Sequence, residues 1–498
     1  MIRRGDISST IKMDVVTSMV DLAGWQHDAL WALIVGAILA FLMSMGLGAN
    51  DVSNAFGTSV GSKVLTLFQA YVLATIFETL GSVLVGYNVT DTVRKSIINT
   101  DMYNSEPRTL LIGQVAILGG CAAWLIMATI MKWPVSSTQS IVGATIGMSV
   151  VMKGFNGISV SEVIKICSSW VISPILSGSI SMILYIIVDH SVLRRKTPFK
   201  CGLKVLPIFY FCCLTFNTFA VVYQGSTIIG LKSVPLGLSF GIAFAVGGLT
   251  FVIMQFFVKP RLSKWIDKTT PDVTIGSVKT ISTGPEFTNV SEVATLEKID
   301  ECVETRTQAR DGTFKGFVKW FLPLKDRKTS PRVLKIFSSI QIFTACFAGF
   351  AHGANDVANS VAPLAALLSI YRMGNTLQSE ETPIYVLLFG VLGICLGLWL
   401  FGHRVIETVG QRMTEINPAS GFTIEFGAAV TALLASKAGL PISTTHCLVG
   451  SVVFVSAMKS EEAIDWSIFK GIVFSWIVTL PVSALFAGGL MRLLILFH

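Results

Sequence analysis

The sequence predicts an all-α polytopic membrane protein with about 12 transmembrane segments in two inverted-topology repeats with broken or hairpin helices. Three observations carry this. The 498 residues are 52% hydrophobic and only 14% charged, with mean hydropathy +0.68, where a soluble globular domain carries about a quarter charged residues. Several charge-free runs are long enough to cross about 30 Å of hydrocarbon, at 29–47, 166–188, 205–231, 233–258, 382–402 and 471–491. Finally, residues 48–61 read GANDVSNAFGTSVG and residues 353–366 read GANDVANSVAPLAA.

Taken in order, residues 1–28 form an N-terminal segment expected outside the cell, and residues 29–258 a first membrane region with crossings near 29, 66, 110, 134, 163, 205 and 235. Residues 259–332, rich in Thr, Ser, Lys and Glu and without sustained periodicity, read as a large cytoplasmic loop. The second membrane region, 333–498, has crossings near 336, 383, 422, 441 and 471. Beyond the Asn-Asp motif, Pro134-Val135-Ser136-Ser137-Thr138 pairs with Pro441-Ile442-Ser443-Thr444-Thr445. Ser169-Trp170 with Pro174 pairs with Ser475-Trp476 with Pro481, and all three pairs are 305 to 307 residues apart.

Seven crossings before the loop invert the second repeat relative to the first. An outside N-terminus then puts the sequon Asn88-Val89-Thr90 outside, predicting glycosylation at Asn88, and the basic tract Arg194-Arg195-Lys196 inside. Arg3 and Arg4 pull the other way, and the sequon at Asn289 stays unused. The net charge of +8 sits in such tracts beside apolar runs, which excludes nucleic acid as the partner and favours the bilayer. The nine cysteines lie mostly in apolar runs without paired or metal-ligand spacing, as small core residues do. MIRRGDISST shows no cleaved signal peptide.

A carboxylate at the centre of a membrane helix costs about 2.5–3.5 kcal/mol on permissive scales, and this chain places one there twice. Asn50, Asp51, Asn355 and Asp356 are hard oxygen ligands suited to Na⁺, and their Asn amides also suit phosphate oxygens. The adjoining glycines are expected to let the helix unwind and free carbonyls for the cation. Each Asp could instead pair with Lys63, Lys132 or Lys437 nearby. Ser136, Ser137 and Thr138, and again Ser443, Thr444 and Thr445, follow a proline and lead into an apolar helix. Hydroxyls and free backbone N–H groups at a helix N-terminus form an anion site; plain capping is the simpler alternative. Glu78 and Glu425 also lie in apolar runs and are assigned to the cation. His446 has Gln139 as its counterpart, so a paired role for imidazole is not expected.

At these residues the chain resembles the inorganic phosphate transporter (PiT) family of sodium-phosphate symporters. GANDV with Asn six positions after the Gly (Asn54, Asn359), Phe77-Glu78-Thr79, the paired Pro-x-Ser-x-Thr motifs and the central loop carry the resemblance. It implies inverted repeats, extracellular termini, and phosphate with Na⁺ bound where the repeats meet. It further implies that Asn50, Asp51, Glu78, Ser136, Ser137, Thr138, Asn355, Asp356, Glu425, Ser443, Thr444 and Thr445 surround that site. The family usually has His in both hydroxyl motifs; Gln139 departs from that. Members of that family are often homodimers, a point that the residues of this sequence do not themselves address.

The leading functional expectation is Na⁺-coupled symport of H₂PO₄⁻ by alternating access, in a multi-pass plasma-membrane protein with no cofactor and Na⁺ as the one metal. Proton coupling or sulfate transport on the same fold remains open, because hydroxyls and helix dipoles do not by themselves distinguish tetrahedral anions. So does a phosphate sensor or receptor with little flux. An enzyme is the weakest reading, since no nucleophile-base pair or His-rich cluster is present.

Overall fold

The computed structural model describes the chain apart from residues 1–3, 97, 99, 105, 226–233, 271–312, 379, 409, 411–412, 439–441, 460–463 and 498. The Asn289 sequon and Pro441 lie outside the described residues. Among those described, the elements are helices, and the one strand-like pairing is an isolated bridge between Ile98 and Ile158.

The first repeat contains α1 (Arg4–Asp51), α2 (Ser53–Gly61), α3 (Leu67–Ser96), α4 (Pro107–Ile130), α5 (Ser137–Lys153) and α6 (Val160–Val188). Three helices bridge toward the loop: α7 (Pro198–Gln224), α8 (Leu236–Ile253) and α9 (Lys259–Thr269). After the loop come α10 (Phe314–Phe321), α11 (Pro331–Met373), α12 (Ile384–Phe401), α13 (His403–Glu407), α14 (Pro418–Lys437), α15 (Thr444–Lys459) and α16 (Trp466–Leu496). Ten spans among the described residues are long and apolar enough to cross a membrane. The other two of the expected twelve are α5 and α15, of 17 and 16 residues. Both open on the hydroxyl triplets. Helix α1 begins well before residue 29, so the segment 1–28 merges into the first membrane helix.

Packing repeats the sequence symmetry. Helix α1 packs on α4 and α12, as α11 packs on α14 and α3; α5 packs on α16, as α15 packs on α6. Each repeat therefore lends a helix to the other. The motif glycines make this possible. A Cβ on Gly48 would lie 1.9 Å from the Ile394 carbonyl oxygen, and one on Gly353 would lie 2.2 Å from that of Glu78. Only a residue without a side chain admits such backbone contact. The glycines thus serve close helix crossing, and the unwinding expected from them appears only in the first copy, where α1 ends at Asp51 and α2 restarts at Ser53. The second copy runs unbroken through α11.

The described ends sort into two faces. On one, Asp326 N–H donates to the Lys459 carbonyl, and Arg327 and Arg194 both pair with the buried Asp189. Arg194 also caps the carbonyls of Trp320 and Phe321 at the end of α10. Both flanks of the loop and the basic tract share this face. On the other, Trp25 donates to the Tyr371 carbonyl, Arg94 to that of Glu380, and Thr376 to Asn104. The sequon at Asn88 lies within α3 rather than in a surface loop, and Thr90 is fully buried with its hydroxyl bonded to the Gly86 carbonyl.

Candidate functional site

The short helices α5 and α15 meet with their N-termini inside the protein, and each hydroxyl of a triplet does something different. Ser136 and Ser443 cap their helices, accepting from the backbone N–H of Gln139 and His446. Thr138 donates to the Ile442 carbonyl and Thr445 to that of Val135, two reciprocal braces that tie the helix starts together. The middle hydroxyls face the carboxylates. Thr444 donates to Asp356 Oδ2 at 2.6 Å, and Ser137 to Asp356 Oδ1 at 3.5 Å. The capping alternative therefore holds for the first hydroxyl of each triplet only.

Asn359, one turn beyond Asp356, donates to the hydroxyls of Ser137 and Thr138 and to Asp356 itself. Pro363 has no N–H to offer the Asn359 carbonyl, so the helix ladder is interrupted beside the site. Asn50 accepts from Val135 N–H and donates to the Trp133 carbonyl, holding the chain that leads into α5. Asn355 donates to the Ala351 carbonyl of its own helix.

Asp51 is fully buried, and neither of its carboxylate oxygens has a hydrogen-bond partner among the described residues. Ligand atoms of Asp51, His352 and Asp356 lie within 4.8 Å of one another. His352 Nδ1 is 2.8 Å from Glu78 Oε2, and its Nε2 is 3.2 Å from Asp356 Oδ2. Glu78 is thereby drawn into the cluster through an imidazole. Neither aspartate pairs with Lys63, Lys132 or Lys437; Lys437 bonds the Tyr223 carbonyl instead. His352 was not among the residues picked from sequence. It immediately precedes Gly353 inside an apolar run, and an ionisable residue there is itself a functional signal.

Glu425 stands apart. Its Oε1 accepts from Thr58, Ser59 and Gln341 at 2.5, 2.6 and 3.1 Å, and its Oε2 from Thr344 at 2.7 Å. Thr344 lies two turns before His352 on α11, about 12 Å along the axis toward the loop face. A cavity of about 20 Å³ between the two centres is lined by Ala348, Ala351, Ala428, Ala432, His352 and Thr444. His446, in line with its expected packing role, rests on Trp476 with ring centroids 3.9 Å apart and bonds the Trp170 carbonyl.

Residues 47–487 match the PHO4 family, described as the phosphate transporter family. The chain is 32% identical to the sodium-dependent phosphate transporter 1 of Rattus norvegicus, over 94% of this chain and 95% of the rat protein. It is 33% identical to the sodium-dependent phosphate transporter 2 of Bos taurus, over 94% of this chain and 98% of that one. Its fold is similar to a solved structure titled "The sodium-dependent phosphate transporter", with TM-score 0.75 and 31% identity over 94% of this chain and all of that one. This multi-pass membrane protein belongs to the phosphate transporter family.

Proposed function

We infer that the protein carries inorganic phosphate across a membrane by sodium-coupled symport. The observation that supports this best is the pair of hydroxyls, Ser137 and Thr444, arriving from two oppositely directed helix N-termini onto one carboxylate, Asp356, beside the unpartnered Asp51. Hydroxyls, two helix termini and the Asn359 amide suit a tetrahedral anion. As long as Asp356 accepts from those donors, it competes with phosphate for them. A cation held by Asp51 and Asp356 takes up the carboxylate lone pairs, frees the hydroxyls, and cancels the repulsion a second anion would meet. Coupling then follows, because phosphate binds well only after Na⁺.

Glu425, with three hydroxyls and an amide around it, supports a second Na⁺ position nearer the loop face. One specific observation favours a variant: His352, held between Glu78 and Asp356, could exchange a proton where the main reading has a second Na⁺.

Two Na⁺ with one H₂PO₄⁻ move one net charge. A tenfold Na⁺ gradient supplies about 1.4 kcal/mol per ion, and one charge across about 60 mV adds about 1.4 more, enough to concentrate phosphate on the order of a thousandfold. Radiolabelled phosphate uptake into proteoliposomes under imposed Na⁺, K⁺ or pH gradients tests this. Accumulation with inward current in Na⁺ alone is expected. Equal uptake in K⁺ contradicts sodium coupling, pH-driven uptake favours the proton variant, and sulfate carried equally well widens the substrate.

On the pattern of the family it resembles, we further propose a plasma-membrane homodimer with outside termini and the loop 259–332 inside. Crosslinking of intact cells and loop-directed labelling before and after permeabilisation check both.

A further inference from the structure

A second polar cavity lies on the side of the site away from the loop, between α3, α4, α5 and α11. It has a volume of about 20 Å³ and is lined by Arg94, Gln114 and Thr145 together with Ile141 and Pro363. Ile141 and Thr145 are one and two turns beyond Thr138 on α5, and Pro363 is one turn beyond Asn359 on α11. The cavity therefore stands directly between the hydroxyls of the site and the face where Arg94 bonds the Glu380 carbonyl at 2.7 Å.

Two of its walls are unexpected for packing. Arg94 is 6% exposed, and burying a guanidinium inside a membrane protein is costly without a purpose. Gln114 is 3% exposed, borders the cavity, and makes no hydrogen bond among the described residues. A carboxamide left unbonded in such a place is costly.

The repeat shows that the fold itself asks for neither. The relation that sets Glu78 opposite Ile394 sets Arg94 opposite Gly410, where a Cβ would lie 2.1 Å from the Gly57 carbonyl. By the 307-residue spacing that relates Pro134 to Pro441, Gln114 corresponds to Gly421, whose missing Cβ makes room for the Gln341 amide. The loop-side positions are thus filled by closely packed neighbours, while the opposite side carries a guanidinium and a carboxamide around a space.

We propose that Arg94 and Gln114 form an oxyanion-recognition site on the external approach, occupied by phosphate before it reaches Ser137 and Thr444. This rests on the transport reading above. A planar guanidinium fork matches two phosphate oxygens, and the Gln114 NH₂ supplies a neutral donor to a third. The cavity as it stands has room for about one water, so the anion is admitted when the outer ends of α3 and α11 separate.

The test is phosphate-evoked current in whole cells expressing the full chain, at saturating external Na⁺, with surface abundance measured alongside. Wild type is read first, and no phosphate current there sinks the transport reading itself. Given that current, Gln114→Leu and Arg94→Gln should each raise the phosphate KM about tenfold. The maximal current per surface molecule and the half-activating Na⁺ concentration should stay put, and Arg94→Lys should recover part of the loss. An unchanged KM in Gln114→Leu overturns the proposal, as does a fall in maximal current with no change in KM. Gln114→Leu leaves the Arg94–Glu380 bond in place, so it decides the matter even if the Arg94 variants fail to reach the surface.

Discussion

Leu47 and Leu118 occupy in the first repeat the positions that His352 and Glu425 hold in the second, and Glu78 of the first lies across the pseudo-symmetry from Ile394 of the second. In contrast, Gly48 and Gly353, Ser136 and Ser443, and Thr138 and Thr445 recur with matching contacts, and Asp51 and Asp356 recur within one cluster, although among the described residues only Asp356 accepts hydrogen bonds. Duplication thus preserved the frame and one pair of carboxylates, while the remaining charge was placed once. The difference has a physical basis. Helix crossing requires the same absent Cβ on both sides, but a polar centre on the loop side needs no copy on the other, and each copy would add its own burial cost.

The largest effects should come from breaking what the repeats share. Gly48→Ala and Gly353→Ala each force a methyl into a carbonyl oxygen at 1.9 and 2.2 Å. Both should lose most of their surface abundance, by similar amounts, on a biotinylation assay. Survival of one alone would show that the frame is less symmetric than the glycines imply.

Next come the shared carboxylates. Asp51→Asn and Asp356→Asn should each lower Na⁺-driven uptake by about a hundredfold or more at near-normal surface abundance, since each keeps the size of the side chain and deletes the negative charge that holds the cation, a loss of about 2.7 kcal/mol or more in binding. Near-normal transport in either variant removes that aspartate from the cation site.

The unshared residues give smaller and more structured effects. Glu78→Gln and His352→Gln should each impair uptake, and the double variant should be no worse than the more damaged single, because the two side chains are 2.8 Å apart and act as one unit. Additive losses would separate them. Glu425→Gln should raise the half-activating Na⁺ concentration more than the phosphate KM. The smallest expected change is Thr444→Val, about a tenfold rise in phosphate KM with the Na⁺ dependence preserved, as the loss of one charge-assisted hydroxyl bond allows.

Much of this was legible in the sequence, because hydropathy and repetition are local signals. The apolar spans, the short helices behind Pro134 and Pro441, and the motif pairs follow from patterns a few residues long. What stayed hidden arises between helices. Glu425 collects Thr58, Ser59, Gln341 and Thr344 from two other helices, residues that are distant from it in sequence. His352, whose counterpart is Leu47, was missed although an ionisable side chain within an apolar run is the same signal that singled out Glu78 and Glu425. The motif glycines were taken for points of unwinding, yet their partners, Ile394 and Glu78, are distant in sequence and reveal packing instead.

The central claim is that Asp356 withholds the hydroxyls of Ser137 and Thr444 from phosphate until a cation takes it up. Equilibrium binding of radiolabelled phosphate to purified wild-type and Asp356→Asn protein, in Na⁺ and in K⁺, tests it most directly. The predicted result is sodium-dependent binding by the wild type and binding by Asp356→Asn that no longer distinguishes Na⁺ from K⁺, although that variant transports nothing. Wild-type binding of equal strength in K⁺, or an Asp356→Asn protein that still needs Na⁺ to bind phosphate, would contradict it.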